Sequence, residues 1–289
     1  MTTNDSTIIH EKTNSKILLE LKDNLFVRVA VPRKGVVCSN QSRVERIKDV
    51  LENRVEIEVP WGPKIYIGTY QNESFFIASA PVGSGSGLMF TELYSAGAEF
   101  IVRYGSDDVK DPKPNEQDMV KIISEADNLY GYEMGSGIDY DTCGQSMYAS
   151  TILIDALKKE SEARELLVED RICHHLENYH ALRTPWKFSE DRRQKLEENL
   201  KKLKEKSNKI GKNSSFDMET AVLFRVAMDF GTKPTPTGVN IPIKHAATIL
   251  QTVNKESSSL GPYEGSNKQD AIRLEIQFIS FILNALMSL

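Results

Sequence analysis

The chain has 289 residues, of which 40% are hydrophobic and 27% charged, and a formal net charge of −5. That is enough apolar material for a large buried core, and the negative balance argues against a surface built to hold nucleic acid and toward a small-molecule partner. Cys38, Cys143 and Cys173 are far apart and outside any Cys-x-x-Cys or His-x-x-x-His pattern, so neither a disulfide framework nor a zinc site is indicated, and a reducing cytoplasm fits.

In chain order, the opening "MTTNDSTIIHEKTNS" lacks the basic region and apolar stretch of a secretory signal. Residues 16–38 hold two short β-rich runs, "LFVRVAV" and "GVVC". Next, "SNQSRVERIKDVLENR" sets Val44, Ile47, Val50 and Leu51 at helical spacing behind cap-type polar residues. "RVEIEV", "KIYIGTY" and "ESFFIASA" follow as three strands of one sheet, separated by Trp-Gly-Pro and Gln-Asn turn chemistry. Residues 75–105 read as strand, glycine loop, helix from Leu88 to Ala98, and strand "EFIVRYG", a unit that builds a parallel sheet and places the fold in the α/β class. Residues 106–145 read as loop-rich, Ser150 to Leu167 as a helix with a charged face, and "RICHHLENYHAL" as a strand entering a loop. From Ser189 to Lys212 acids and bases alternate around a thin stripe of Leu196, Leu200 and Leu203, which predicts a solvated helix resting on the body. A helix begins near Phe216, a strand-and-turn stretch runs from Thr232 to Pro242, and two more helices are separated by "ESSSLGPYEGSNKQD". The C-terminal "AIRLEIQFISFILNALMSL" carries Arg273, Glu275 and Gln277, so it reads as an amphipathic helix rather than a membrane span.

Two stretches carry chemistry. In "PVGSGSG", Gly83, Gly85 and Gly87 lie between a strand and a helix, where backbone approaches an anion closely and helix-start amides supply donors; tight packing alone is the plainer explanation. Arg103 interrupts the following apolar strand. A buried guanidinium needs a partner, either two oxygens of a phosphate or an internal acid such as Glu92 or Asp107. Ser106 adds a hydroxyl and an amide beside it. Asp107 also falls where a dinucleotide-binding unit places its ribose acid, although the loop is Gly-x-Gly-x-Gly rather than Gly-x-Gly-x-x-Gly, and no P-loop is present. In the second stretch, "SSFDMETAVLFRVAMDFG", Asp217 and Glu219 bracket Met218 at a helix start. Ser214 with Asp217 has the spacing of a capping box, and a carboxylate held there also suits two vicinal hydroxyls of a ribose, with a methionine packed on the sugar.

Together and in this order, "SNQSRVERI", "VGSGSGLMFTELYSAGAEFIVRYGS" and "FDMETAVLFRVA" resemble the phosphate loop, glycine loop and Glu-Met-Glu helix of the nucleoside phosphorylases of the uridine phosphorylase and hexameric purine nucleoside phosphorylase type. The resemblance implies one α/β domain over residues 1–289, a central mixed sheet flanked by helices in three layers. It implies that Arg43 and Arg103 grip phosphate with Ser106 and the amides around Gly83, while Glu219 binds the ribose hydroxyls and Met218 packs on the sugar. His10 is the candidate to reach a neighbouring subunit's site, and Tyr179 to stack on the base. The partners implied are a ribonucleoside and phosphate in a homo-oligomer built from dimers, with no metal or organic cofactor, no nucleic acid and no membrane. Ser39, Asn40 and Gln41 depart from the family's Gly-Asp-Pro, and "VNIPIKH" replaces the purine enzymes' Ser-Asp. Lys244 there stands in for the arginine of the uridine enzymes, which tilts the base toward a pyrimidine. The expected activity is phosphorolysis; a hydrolase, or a nucleoside-binding or structural subunit, is the alternative.

Overall fold

A computed structural model describes residues 8–9, 18–19, 27–60, 63–109, 119–128, 146–175, 189–236, 238–254 and 268–289. Its centre is a ten-stranded mixed sheet with helices packed on it. The strands are β1 (Lys34–Cys38), β2 (Glu52–Glu58), β3 (Lys64–Tyr70), β4 (Glu73–Ser79), β5 (Phe100–Val109), β6 (Val120–Asn128), β7 (Ser146–Tyr148), β8 (Val168–His175) and β9 (Asn213–Asp217). A short hairpin of β10 (Thr232–Pro234) and β11 (Asn240–Pro242) stands apart from the sheet, and β12 (His245–Asn254) returns to its middle. The order is β9-β8-β6-β12-β5-β1-β4-β3-β2, with β7 on β6. Strands β4, β1, β5 and β12 are mutually parallel, and β6 runs antiparallel to β12 but parallel to β8 and β9.

The helices are α1 (Gln41–Ile47), α2 (Ser86–Ser95), α3 (Thr151–Ala163), α4 (Glu190–Ile210), α5 (Thr220–Asp229) and α6 (Lys268–Met287). Fully buried Phe76, Phe90, Tyr104, Phe224 and Phe281 belong to one continuous core between sheet and helices. No helix among the described residues is long and apolar enough to cross a membrane.

The predicted run of β2, β3 and β4, the glycine-loop unit and the terminal helix are all present. Four expectations are corrected. Residues 120–128, expected within a loop-rich region, form β6 in the middle of the sheet. Their polar side chains disguise a buried strand because each has a partner: Lys121 with Asp107, Ser124 with Asp170, Glu125 with Ser146 and Asp127 with His174. The run "HAATILQTVN" is a strand, β12, and not a helix; periodicity cannot separate the two in a short apolar run. The helix expected from Phe216 begins at Thr220, preceded by β9. "LFVRVAV" makes only an isolated bridge at Val29 among its described residues.

Side chains alternate between the two faces of a strand, so Arg103, Gly105 and Asp107 of β5 share one face while Tyr104 and Ser106 share the other. On the first face the sheet curls until its edge strand β9 meets β5. Arg103 reaches Asp217, and Ser215 donates to Asp107 at 3.0 Å.

Candidate active site

Four chain segments converge on Arg103. It lies in the middle of β5 and is only 2% exposed. Gly105, two residues on, leaves room for it: a Cβ there would come within 2.4 Å of Arg103 Nη1. Nη1 donates to Asp217 Oδ2 at 2.6 Å and to Thr220 Oγ1 at 3.3 Å, while Nη2 donates to Ser39 Oγ at 3.1 Å and to Glu219 Oε2. The remaining oxygen of Glu219 accepts the Gly83 amide at 3.1 Å. Gly83 has φ +74°, a left-handed conformation that glycine adopts without strain and that turns its N–H toward the carboxylate. The donors of the glycine loop and of Arg103 therefore meet on one anion, the chain's own Glu219.

Asp217 is the rigid member of the group. Its Oδ1 accepts the amides of Glu219 at 3.3 Å and Thr220 at 3.2 Å, which caps α5, and its Oδ2 accepts the Thr220 hydroxyl. Burial alone would raise its carboxyl, but the adjacent Arg103 guanidinium and the Thr220 donors hold it below the usual carboxylate range. Glu219 behaves oppositely. Burial pushes its carboxyl up and the Asp217 charge adds to the rise, so attraction to Arg103 does not bring it back to the ordinary value. One arginine is thus shared by an acid held ionised and a second acid that binds a proton more readily. His175, at the end of β8, lies in register beside Asp217.

The structure divides the residues predicted from the sequence. Arg103, Gly83 and Glu219 come together, with Met218 half-buried between the two acids. Arg103 does have internal acids, but neither is one expected: Glu92 accepts the Val27 amide at 2.7 Å, and Asp107 binds Lys121 at 2.8 Å and Arg171 at 3.1 Å. That buried commitment of Asp107 also removes it as a ribose acid for a dinucleotide.

Arg43 takes a different place from the one expected. Its Nε donates to Glu275 Oε1 of α6 at 2.9 Å, its Nη1 donates to the Tyr104 carbonyl at 3.3 Å, and its guanidinium lies 4.7 Å from the Tyr104 ring centroid. Tyr104 is on the face of β5 opposite Arg103, so this contact joins Arg43 to the terminal helix rather than to the Arg103 cluster. Ser106, an odd number of residues from Arg103, likewise directs its side chain to the opposite face. Lys244 precedes β12, whose first residue His245 is in register with Phe100. Its ammonium donates to the carbonyls of Tyr94 at 2.8 Å and Ala98 at 2.6 Å, around the C-terminal end of α2. It is therefore a helix-end cation, four strand positions short of Thr248, the register partner of Arg103. The Ser214–Asp217 capping box is also absent: Ser214 Oγ contacts His174 Nε2 at 3.0 Å, and Asp217 caps α5 alone. His10 and Tyr179 lie outside the described residues.

The altered first loop has its own logic. Ser39 contributes a hydroxyl to Arg103, and Asn40 Oδ1 accepts the Arg43 amide at 2.8 Å to cap α1. Gln41 Oε1 accepts the Lys64 amide at 2.9 Å and the Ser79 hydroxyl at 2.8 Å. Sequence reasoning missed Asp217 and Ser39 as partners of Arg103 and Glu275 as partner of Arg43. A signal for Glu275 was available, since it stands one helical turn from Phe278 and Ile279 on the apolar face of α6. No group of three or more His, Cys, Asp or Glu able to hold a metal is found among the described residues.

No protein-family model matches the chain, and no curated protein sequence matches it. Solved structures do. Uridine phosphorylase from Vibrio fischeri superposes with a TM-score of 0.66 at 20% identity, over 92% of this chain and 97% of that one. Purine nucleoside phosphorylase from Toxoplasma gondii gives 0.66 at 17% identity, over 91% and 96%. Futalosine hydrolase of Helicobacter pylori gives 0.60 at 15% identity, over 90% and 99%. At these identities what is shared is architecture, and the chain is built on the nucleoside phosphorylase fold.

Proposed function

We propose that the chain cleaves the N-glycosidic bond of a ribonucleoside with inorganic phosphate as the attacking group, releasing the free base and ribose 1-phosphate. The observation that carries this reading is the junction of Arg103, Glu219 and the Gly83 amide. A carboxylate suited to two vicinal hydroxyls stands against the guanidinium that an oxyanion would use. The likeness to uridine phosphorylase and purine nucleoside phosphorylase supports it.

In this reading a phosphate oxygen forms a bond to C1′ as the bond from C1′ to the base nitrogen breaks, and the electron pair leaves with the base. Positive charge develops on the sugar, so an anion held beneath C1′ stabilises the transition state as well as attacking. Arg103 orients the phosphate and Glu219 fixes the ribose, which makes positioning the main contribution. The reading calls for no metal or organic cofactor. With Lys244 committed to the end of α2, the tilt toward a pyrimidine loses its support, and purine and pyrimidine nucleosides stand equal. A cytoplasmic homo-oligomer built from dimers completes the proposal, and light scattering of the purified protein tests the assembly.

Hydrolysis is the second reading. It is favoured by one observation: Arg43 and Arg103 are both already bonded to carboxylates, whereas water as the attacking group needs no cation. Phosphorus NMR of a reaction mixture containing nucleoside and phosphate distinguishes the two. A sugar phosphate resonance accompanying base release is expected from phosphorolysis, and base release with only the inorganic phosphate resonance would mean hydrolysis.

A further inference from the structure

The four N–H bonds on the two terminal nitrogens of Arg103 already have acceptors: Asp217 and Thr220 on Nη1, Ser39 and Glu219 on Nη2. An incoming oxyanion reaches either terminal nitrogen only by displacing one of them. Asp217 is fixed by the Thr220 hydroxyl and two helix-start amides, and Thr220 is fully buried in the first turn of α5. Ser39 is neutral and offers no charge to replace. Glu219 is the member that competes with an anion for charge, and beyond Arg103 its described hydrogen bond is the single one from Gly83. Both of its anchors, a guanidinium and a glycine-loop amide, are the donors a phosphate would take.

We infer that Glu219 is an internal occupant of the anion site and that ribose hydroxyls release it, so that nucleoside binding creates the affinity for phosphate. The inference rests on the nucleoside-cleaving reading above. Two vicinal hydroxyls donate to the Glu219 oxygens and replace the hydrogen bonds it gives up, which lets the carboxylate turn from Arg103 and Gly83 without becoming a bare buried charge. The vacated Nη2 and amide then receive phosphate directly beneath the sugar. Because binding free energies are reciprocal, phosphate must tighten nucleoside binding by the same factor. A nucleoside without hydroxyls to offer cannot open the site.

Calorimetric titration of the intact wild-type protein with inorganic phosphate tests this, alone and in the presence of uncleavable C-nucleosides, one bearing a pyrimidine and one a purine-like base. Phosphate affinity is expected to rise about tenfold or more when a C-nucleoside is present, within the usual range of coupling energies. It should remain at the nucleoside-free value with the 2′,3′-dideoxy counterpart. Glu219→Gln, which keeps the size but removes the charge, should bind phosphate without nucleoside and lose the coupling. Equal phosphate affinity with and without C-nucleoside overturns the inference while leaving the glycosidic-bond reading intact, and so does weaker affinity with it. If neither C-nucleoside binds, the functional reading itself fails. If C-nucleosides bind and phosphate never does, the coupling is refuted and hydrolysis takes its place.

Discussion

Replacing Arg103 by alanine removes the only cation described beside two buried carboxylates. Breaking a buried pair from one side costs about 3–5 kcal/mol. Two acids share this arginine, but Glu219 binds a proton readily, so the variant is left with roughly one uncompensated charge and the estimate stays at about 3–5 kcal/mol rather than double that. The pH dependence follows with a definite sign. In the wild type Asp217 is held below its ordinary value, so its contribution is complete above the unfolded carboxylate range and is lost as pH falls through the folded value. In Arg103→Ala the same carboxyl, buried without its guanidinium, rises above its unfolded value. Stability of the variant is then highest at low pH and declines as pH rises. Each retained proton returns about 1.4 kcal/mol per pH unit, so moving from about pH 7.5 to about pH 5.5 should restore close to 3 kcal/mol of the deficit. Urea unfolding at the two pH values measures this directly. A deficit below about 1 kcal/mol with the same pH slope as the wild type would show that Arg103 is not the counter-charge of these acids, since it lies well under the cost of breaking a buried pair.

Three further outcomes follow from the same geometry. Glu275→Ala removes the buried carboxylate that Arg43, 3% exposed, shares with Arg46, and should destabilise the protein by about 3–5 kcal/mol in urea unfolding, while Glu275→Gln should be milder because it keeps an acceptor. Lys244→Met removes the ammonium from the end of α2 and should lower stability by about 1–2 kcal/mol with base release unchanged; a large loss of turnover would restore a catalytic role for Lys244. Burial pushes the Cys38 thiol up to about 12 and Cys173 well above its ordinary value. Neither peptide should be alkylated by iodoacetamide in the native protein, and both should react in denaturant; native labelling of Cys38 would contradict its enclosed position at the end of β1.

The parts of the fold that were legible in the sequence are those with local signals. Turn residues and alternation mark β2 to β4, and the Gly-Ser loop followed by an apolar run marks the β4-α2-β5 unit. Strand β6 was hidden because its charges are neutralised by residues far along the chain, such as Asp107 and Lys206, and a strand paired through its side chains looks like a loop. Glycine loop, Arg103 and Glu219 were found because each is unusual where it stands. Who partners whom was not legible: the pairing of Arg103 with Asp217 spans 114 residues and depends on the curl that brings β9 across to β5. The separation of Arg43 from Arg103 by the two faces of β5 is equally invisible until the register of that strand is known.

The central claim, phosphate-dependent cleavage of a ribonucleoside, is tested most directly by measuring free base released from uridine, inosine, adenosine and guanosine, each with and without added phosphate. The account predicts release from at least one of the four that requires phosphate and is abolished in Glu219→Ala. Release that proceeds equally without phosphate would contradict phosphorolysis and establish a hydrolase. No release from any of the four would contradict the assignment of the Arg103–Glu219 junction as a catalytic site for these nucleosides.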